Sequence, residues 1–191
     1  MPRKSDPTLR PAIVEKVVQH LWTTPVEDVS VRGLGRVLGT SAYPIVYHFG
    51  SREALLDAVV DDLASRCDAV TLEPDADAAV LESWVLAVFG GLDDPSRSLA
   101  ARLAFELGSV ESLGGHERHR RLHRRQVDVV AAWATAHGMS PADAARAAND
   151  VVLAARGVQW GGLLDHDADA AARALTRIAH RLIEAAGFVA R

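Results

Sequence analysis

Residues 29–56, VSVRGLGRVLGTSAYPIVYHFGSREALL, constrain this chain more than any other stretch. They predict two short helices joined by a tight glycine turn, with a third helix starting at once. Ser30 stands where an N-cap belongs, its hydroxyl able to accept from a free amide of the next turn. The helix it opens covers about 31–38, with Leu34, Val37 and Leu38 facing inward. Gly39 suits the left-handed residue that closes a helix. Ser41 caps the next helix, and Pro44 falls in its first turn, where a missing N–H costs little. Ile45 and Phe49, four apart, turn towards the core. Gly50 ends this helix and Ser51 caps a long one, from Arg52 to about residue 70. Gly33 and Gly35 each cost about 1 kcal/mol against alanine in a helix interior, a loss that close packing against another helix offsets.

Two helices joined by a short glycine turn form the supersecondary unit that reads DNA. Its second helix lies in the major groove, with N-terminal residues at the base edges. The outward positions of that helix are Ala42, Tyr43, Pro44, Tyr47 and His48. Tyrosine hydroxyls and an imidazole can bond to phosphates or base edges, and apolar groups can touch a thymine methyl. Arg32 and Arg52, at helix starts, are placed to meet flanking phosphates. The net charge of −4 hides an asymmetry. Residues 1–56 carry +2 and the remainder −6, a basic head on an acidic body, as expected where only one end meets phosphate.

The rest of the chain reads as helix, giving an all-α fold of about nine helices. The first helix, 11–22, places Ile13, Val17 and Leu21 on one stripe, and Thr23-Thr24-Pro25 ends it. Pro74-Asp75 breaks the fourth helix. Further helices are expected over 76–89, 95–108, 117–137, 141–164 and 168–186. The boundary between head and body is expected near residue 56, giving domains 1–56 and 57–191. No run of about 18 apolar residues is present, so no membrane span is expected. The basic N-terminus has no apolar stretch behind it and so does not read as a secretory signal. The single cysteine, Cys67, excludes an intramolecular disulfide and reads as a small packing residue. A cytoplasmic location follows. No nucleophile motif, phosphate loop or dinucleotide fingerprint is present, so neither catalysis nor a cofactor is expected.

The run SVRGLGRVLGTSAYPIVYHFGSREALL resembles the DNA-binding head of the tetracycline-repressor (TetR) family of bacterial regulators. The match comprises a capped Ser-x-Arg opening, a Gly-x-Ser turn, an aromatic recognition helix ending in His-Phe, and Ser-Arg-Glu-Ala-Leu-Leu. It covers roughly residues 10–60. The resemblance implies DNA contacts from Ser30 and Arg32, base contacts from Ala42, Tyr43 and Pro44, and groove and phosphate contacts from Tyr47 and His48. It makes Arg52 a clamp on the DNA backbone. Val46 departs from the tyrosine common in the family, and Tyr43-Pro44 replaces small or hydroxyl residues. These departures bear on the DNA sequence that is read, not on the fold.

For the body, the resemblance implies ligand binding and dimerisation, hence a repressor that binds a palindromic operator as a homodimer and is released by a small molecule. Ala144, Ala148, Val151, Ala155 and Val158 recur at 4-3-4-3 spacing. With Leu175, Ile178 and Leu182 they form the expected dimer stripe. Trp84, Phe89, Phe105, Trp133 and Trp160 are the expected pocket walls, and their apolar character suits an apolar or aromatic effector. A different class of function rests on His116, His119 and His123, spaced to present three imidazoles to a metal. On that alternative the chain is a helical metal sensor or interaction scaffold without an operator. Five arginines crowd the same turns and would repel a cation, which favours a solvated basic helix start and no metal.

Overall fold

The computed structural model describes residues 8–39, 41–66, 70–114 and 117–187. Cys67 and His116 lie outside them. The chain divides into two compact units, Met1–Arg66 and Cys67–Arg191. Among the described residues there are nine α-helices and no strand.

The first unit holds α1 (Leu9–Leu21), α2 (Val31–Val37), α3 (Tyr43–Phe49) and α4 (Arg52–Ser65). A single 3-10 turn, Val26–Asp28, follows α1; the Pro25 signal marks the helix end but not this turn. The core gathers Val17, Val18 and Leu21 of α1, Leu34 of α2, Ile45 of α3, and Leu55, Val59 and Leu63 of α4. The expected cut near residue 56 is corrected by this core. Val59 and Leu63 are fully buried and the first unit continues to Arg66, so α4 belongs to the head along its whole length. Arg66 fastens its far end, pairing with Glu15 of α1 and Asp62 of α4.

Arg52 fastens the near end. Its Nε donates to the Val29 carbonyl at 2.6 Å and its Nη2 to the Val26 carbonyl at 2.5 Å. Both carbonyls lie just before α2, so one side chain at the start of α4 fixes the entry to α2.

The second unit holds α5 (Ala78–Phe89), α6 (Pro95–Gly114), α7 (Arg118–Ala136), α8 (Pro141–Asp165) and α9 (Ala168–Ala185). Side chains cap α5, α8 and α9 as N-cap chemistry predicts. Asp77 accepts from Val80 N, Ser140 from Asp143 N and Asp167 from Ala170 N. The core runs from Leu81, Val85 and Phe89 through Val130 and Trp133 to Val152, Ala155, Leu175 and Ala179. Trp133 is sealed within it, and its ring N–H donates to the Ala76 carbonyl at 2.8 Å.

Two helix ends differ from the sequence reading. Helix α4 stops at Ser65, and α6 runs on through Gly108 to Gly114. Gly108 is not a terminator: α7 crosses it, with His119 side-chain atoms 3.8 Å from where a Cβ would stand. The extension carries Glu111 to the start of α7, where its carboxylate accepts from His119 N at 2.9 Å and Arg120 N at 3.3 Å. It also meets His119 Nδ1 at 2.7 Å. Glu111 thus caps α7 from a neighbouring helix. Burial works against its charge, but the bonds from the His119 N–H, the His119 ring and the Arg120 N–H outweigh that cost. They hold the carboxyl below its ordinary pKa.

Two predictions follow from these fastenings. Replacing Arg52 by Gln should destabilise the head by about 2 kcal/mol, the worth of a charge-assisted bond lost to each of two half-buried carbonyls after partial compensation. Urea denaturation followed by far-UV circular dichroism reads this, and an unchanged midpoint would remove Arg52 from the fold's support. The lowered pKa of Glu111 has a definite sign. Its contribution is present above the unfolded carboxyl value near 4.3 and is lost as pH falls towards the folded value. Melting curves of the wild type should therefore drop more steeply below about pH 4.5 than those of Glu111→Gln; parallel curves would contradict the cap.

Candidate nucleic-acid interface

Helix α2 opens on Ser30, whose Oγ accepts from Gly33 N at 3.0 Å. A Cβ at residue 33 would stand 3.0 Å from that same oxygen, a close contact that glycine avoids. The chain then turns through Gly39, at φ +67°, a region open to glycine with little penalty. Ser41 Oγ accepts from Tyr43 N at 3.3 Å, and the fold of the turn makes Ala42 the residue that precedes α3. Pro44 lies in the first turn of α3. Gly50, at φ +78°, ends the helix, its N–H donating to the Val46 carbonyl at 2.9 Å.

Seven residues make two turns, and the two faces of α3 differ completely. Ile45 and Phe49 point into the core. Tyr43 is 70% exposed, Val46 51% and Tyr47 57%. The Tyr43 and Tyr47 rings stack with centroids 5.8 Å apart, and His48 meets the Tyr47 ring edge-on at 5.0 Å. Three aromatic rings therefore form one outward ridge on a short, internally anchored helix. Burying such rings would gain roughly 1.5–3 kcal/mol each, and the head leaves that unrealised. Arg10 of α1 sits 5.0 Å above the Phe49 ring.

The expected contact residues divide accordingly. Tyr43, Tyr47 and His48 come together, with Ala42 and Pro44 half-buried at the helix start. Arg32 and Arg36 stand exposed on α2. Ser30 is exposed, but its hydroxyl is engaged in the cap. Arg52 is the correction. Its guanidinium turns inward to the carbonyls of Val26 and Val29, with its side chain 29% exposed, instead of reaching outward as a clamp. A residue that opens a helix just after a glycine is as well placed to grip the loop behind it as a phosphate ahead, and only the fold distinguishes the two.

The body corrects one further expectation, the dimer stripe. Ala148, Val151, Ala155, Leu175 and Leu182 are buried in the body's own core, and Val158 and Ile178 pack against it. The most regular apolar stripe is spent within the chain. The apolar positions that α8 turns outward are Leu153, Trp160 and Leu164. Gly157 and Gly161 lie between them, and a Cβ on either would enter open space. Of the expected pocket walls, Trp84, Phe89 and Trp133 are core residues; Phe89 makes an edge contact with Trp84 at 6.1 Å. Phe105 and Trp160 pair at 4.9 Å at the edge of the body, Trp160 half exposed. The sequence reading passed over Arg156, Gln126 and Gln159, which meet across α7 and α8. The polar positions 156 and 159, in the apolar second half of α8, are the signal that marks them.

In the histidine segment, His119 Nδ1 meets the Glu111 carboxylate at 2.7 Å, and His116 lies outside the described residues. Among the described residues no group of three or more His, Cys, Asp or Glu side chains could hold a metal ion. Among them, too, no helix is long and apolar enough to cross a membrane.

No family model matches the chain, and no curated protein sequence does. Solved structures do. A transcriptional regulator from Rhodococcus sp. Rha1 superposes with a TM-score of 0.71 at 18% identity, covering 95% of this chain and 99% of that one. A Rhodococcus sp. protein described as a candidate TetR-family transcriptional regulator gives 0.66 at 19% identity, covering 91% and 96%. A single-residue variant of TetR from Acinetobacter baumannii AYE, in complex with minocycline, gives 0.57 at 17% identity, covering 95% and 96%. The two-helix reading unit, the nine-helix order and these superpositions agree: the chain has the fold of the TetR-family transcriptional regulators.

Proposed function

We propose that this chain is a DNA-binding transcriptional regulator that acts as a homodimeric repressor and leaves a palindromic operator when a small molecule binds its body. The observation that carries the reading is the outward ridge of Tyr43, Tyr47 and His48 on α3, an apolar and hydrogen-bonding surface that the head's own core does not use. In a helix-turn-helix this is the helix that enters the major groove. Arg32 and Arg36 supply exposed positive charge for phosphates, so affinity should fall with salt. Such a protein works in the cytoplasm, where its DNA is.

A head that reads one half-site needs a second copy about 34–36 Å away along the duplex. The occupant that fits the outward face of α8 is another copy of the same face. Leu153 and Leu164 supply apolar area, and Gly157 and Gly161 permit close helix approach. Release by a ligand requires differential affinity for a dimer whose heads no longer match the half-site spacing. The minocycline complex of a fold neighbour supports a ligand-responsive body in this fold.

Gel shifts on the DNA upstream of the gene test the head. Tyr47→Ala should weaken binding at least about tenfold, the loss of one good groove contact, with the oligomeric state unchanged. Unaltered affinity would take α3 out of the groove. Sedimentation tests the pairing surface. Leu153→Arg places a charge in the proposed interface and should yield a folded monomer at concentrations where the wild type is dimeric; a persistent dimer would move the interface elsewhere.

A further inference from the structure

Several arginines in this molecule are answered by carboxylates. Arg66 has Glu15 and Asp62, Arg102 has Glu106, and Arg146 has Asp143. Arg156 is different. It lies largely buried on α8, its guanidinium over the Phe89 ring at 5.0 Å from the centroid. Its Nη1 donates to Gln159 Oε1 at 2.8 Å and its Nη2 to Gln126 Oε1 at 3.0 Å. Gln159 Nε2 donates in turn to the Phe89 carbonyl at 3.2 Å, and both glutamines are buried. Among the described residues no carboxylate pairs with Arg156, and burial alone pulls its pKa below the usual guanidinium value.

Withdrawing a charge from water without a counter-charge carries a desolvation penalty. Two neutral amide oxygens recover only part of it. They do something else well: with Phe89 beneath, they fix the plane of the guanidinium. A guanidinium carries five N–H donors in a rigid fork suited to bidentate capture of a carboxylate. The two glutamine bonds use two of those donors. The fork is held and oriented, but its charge is unanswered.

The surroundings say what else the anion carries. Trp160 follows Arg156 by four residues, so the two are neighbours on α8. The Trp160 ring lies against Phe105 of α6 at 4.9 Å and remains half exposed. One uncompensated positive charge is neutralised by a monoanion, whereas a dianion would leave an excess negative charge in a low-dielectric site.

We propose that Arg156 is the anion-reading residue of the body's effector site, and that the effector is a small organic acid. Its carboxylate sits on the Arg156 fork, oriented by Gln126 and Gln159, and its apolar part lies against Phe105 and Trp160. This rests on the ligand-responsive reading above and adds the chemical class of the ligand.

Calorimetric titration of the protein with phenylacetate, its neutral isostere phenylacetamide, and inorganic phosphate tests it. Phenylacetate should bind at least about tenfold more tightly than phenylacetamide, the worth of hydrogen bonds to a charged group, and more tightly than phosphate. Arg156→Gln should abolish the preference for acid over amide, and Arg156→Lys should retain it in weakened form. The lysine variant carries the test alone should the glutamine variant fail to fold. Equal affinity for acid and amide would overturn the proposal. So would a preference that survives in Arg156→Gln, phosphate binding as tight as phenylacetate, or no binding of phenylacetate in the millimolar range. Gel shifts over the same titration separate the two readings. Acid that binds through Arg156 without releasing DNA supports the anion site and overturns release by ligand.

Discussion

The geometry of the head depends on two hydrogen bonds, from the Arg52 guanidinium to the carbonyls of Val26 and Val29. Helices α2 and α3 are seven residues each, far below the length at which a helix holds itself together in water. They persist because their inner faces are buried and their ends are tied. Leu34, Ile45 and Phe49 supply the burial. Arg52 ties the chain entering α2 to the start of α4, closing the loop that contains both short helices. The recognition ridge on α3 inherits its rigidity from that tie. A consequence is electrostatic: the Arg52 charge is largely committed to the protein's own carbonyls, so attraction to phosphates falls first to Arg32 and Arg36, which stand free of the core.

Helix α8 shows how one element can serve two masters by face. One side carries Ala144, Ala148, Val152 and Ala155, all fully buried, and builds the body's core. Its small side chains let α7 and α9 approach closely. The opposite side carries Leu153 and Leu164 around two glycines and finds no partner within the described residues of the chain. Alanine-rich periodicity marks a helix that packs, without saying against what. The regular 4-3-4-3 stripe is the intramolecular side, and the sparser leucines on the far face form the surface proposed to meet a second copy.

The elements of the fold were legible because their signals are local. Ser30, Ser51, Ser140 and the glycines at 39 and 50 act as caps and stops where the residue types predict. The outward direction of Tyr43 and Tyr47 followed from Ile45 and Phe49 taking the inner face. What stayed illegible is tertiary. Nothing in the local sequence says whether Arg52 reaches forward or back, since both geometries start from the same helix terminus. The 3-10 turn at Val26–Asp28 exists to bring two carbonyls to that arginine, and its partner is 26 residues away. Gly108 looks like a helix stop until α7 is laid across it. The aromatic residues show a related ambiguity: size and apolarity are shared by core and cavity, and Trp133 and Phe89 are sealed in the core while Phe105 and Trp160 pair at its edge.

Against this background of compensated interactions, two local violations stand out. Most polar groups that leave water are answered: Glu111 by backbone amides, the Trp133 ring N–H by the Ala76 carbonyl, Arg66 by two carboxylates. The ridge of α3 is the first exception, since it exposes apolar rings that a core could have used. Arg156 is the second, since it removes a charge from water without an opposite charge. A sequence selected for stability alone would correct both, by a polar residue at 47 and by apolar ones at 156 and at the two glutamines that Arg156 satisfies. Departures from internal consistency tend to concentrate where a protein meets something else. Here the two departures differ in kind, and the difference matches their proposed partners. The head lacks a groove for its apolar ridge, and the body lacks an anion for its guanidinium. On the proposed readings each deficit is met by binding, so the free energy withheld from folding becomes available to recognition: of DNA by the head, of a small acid by the body.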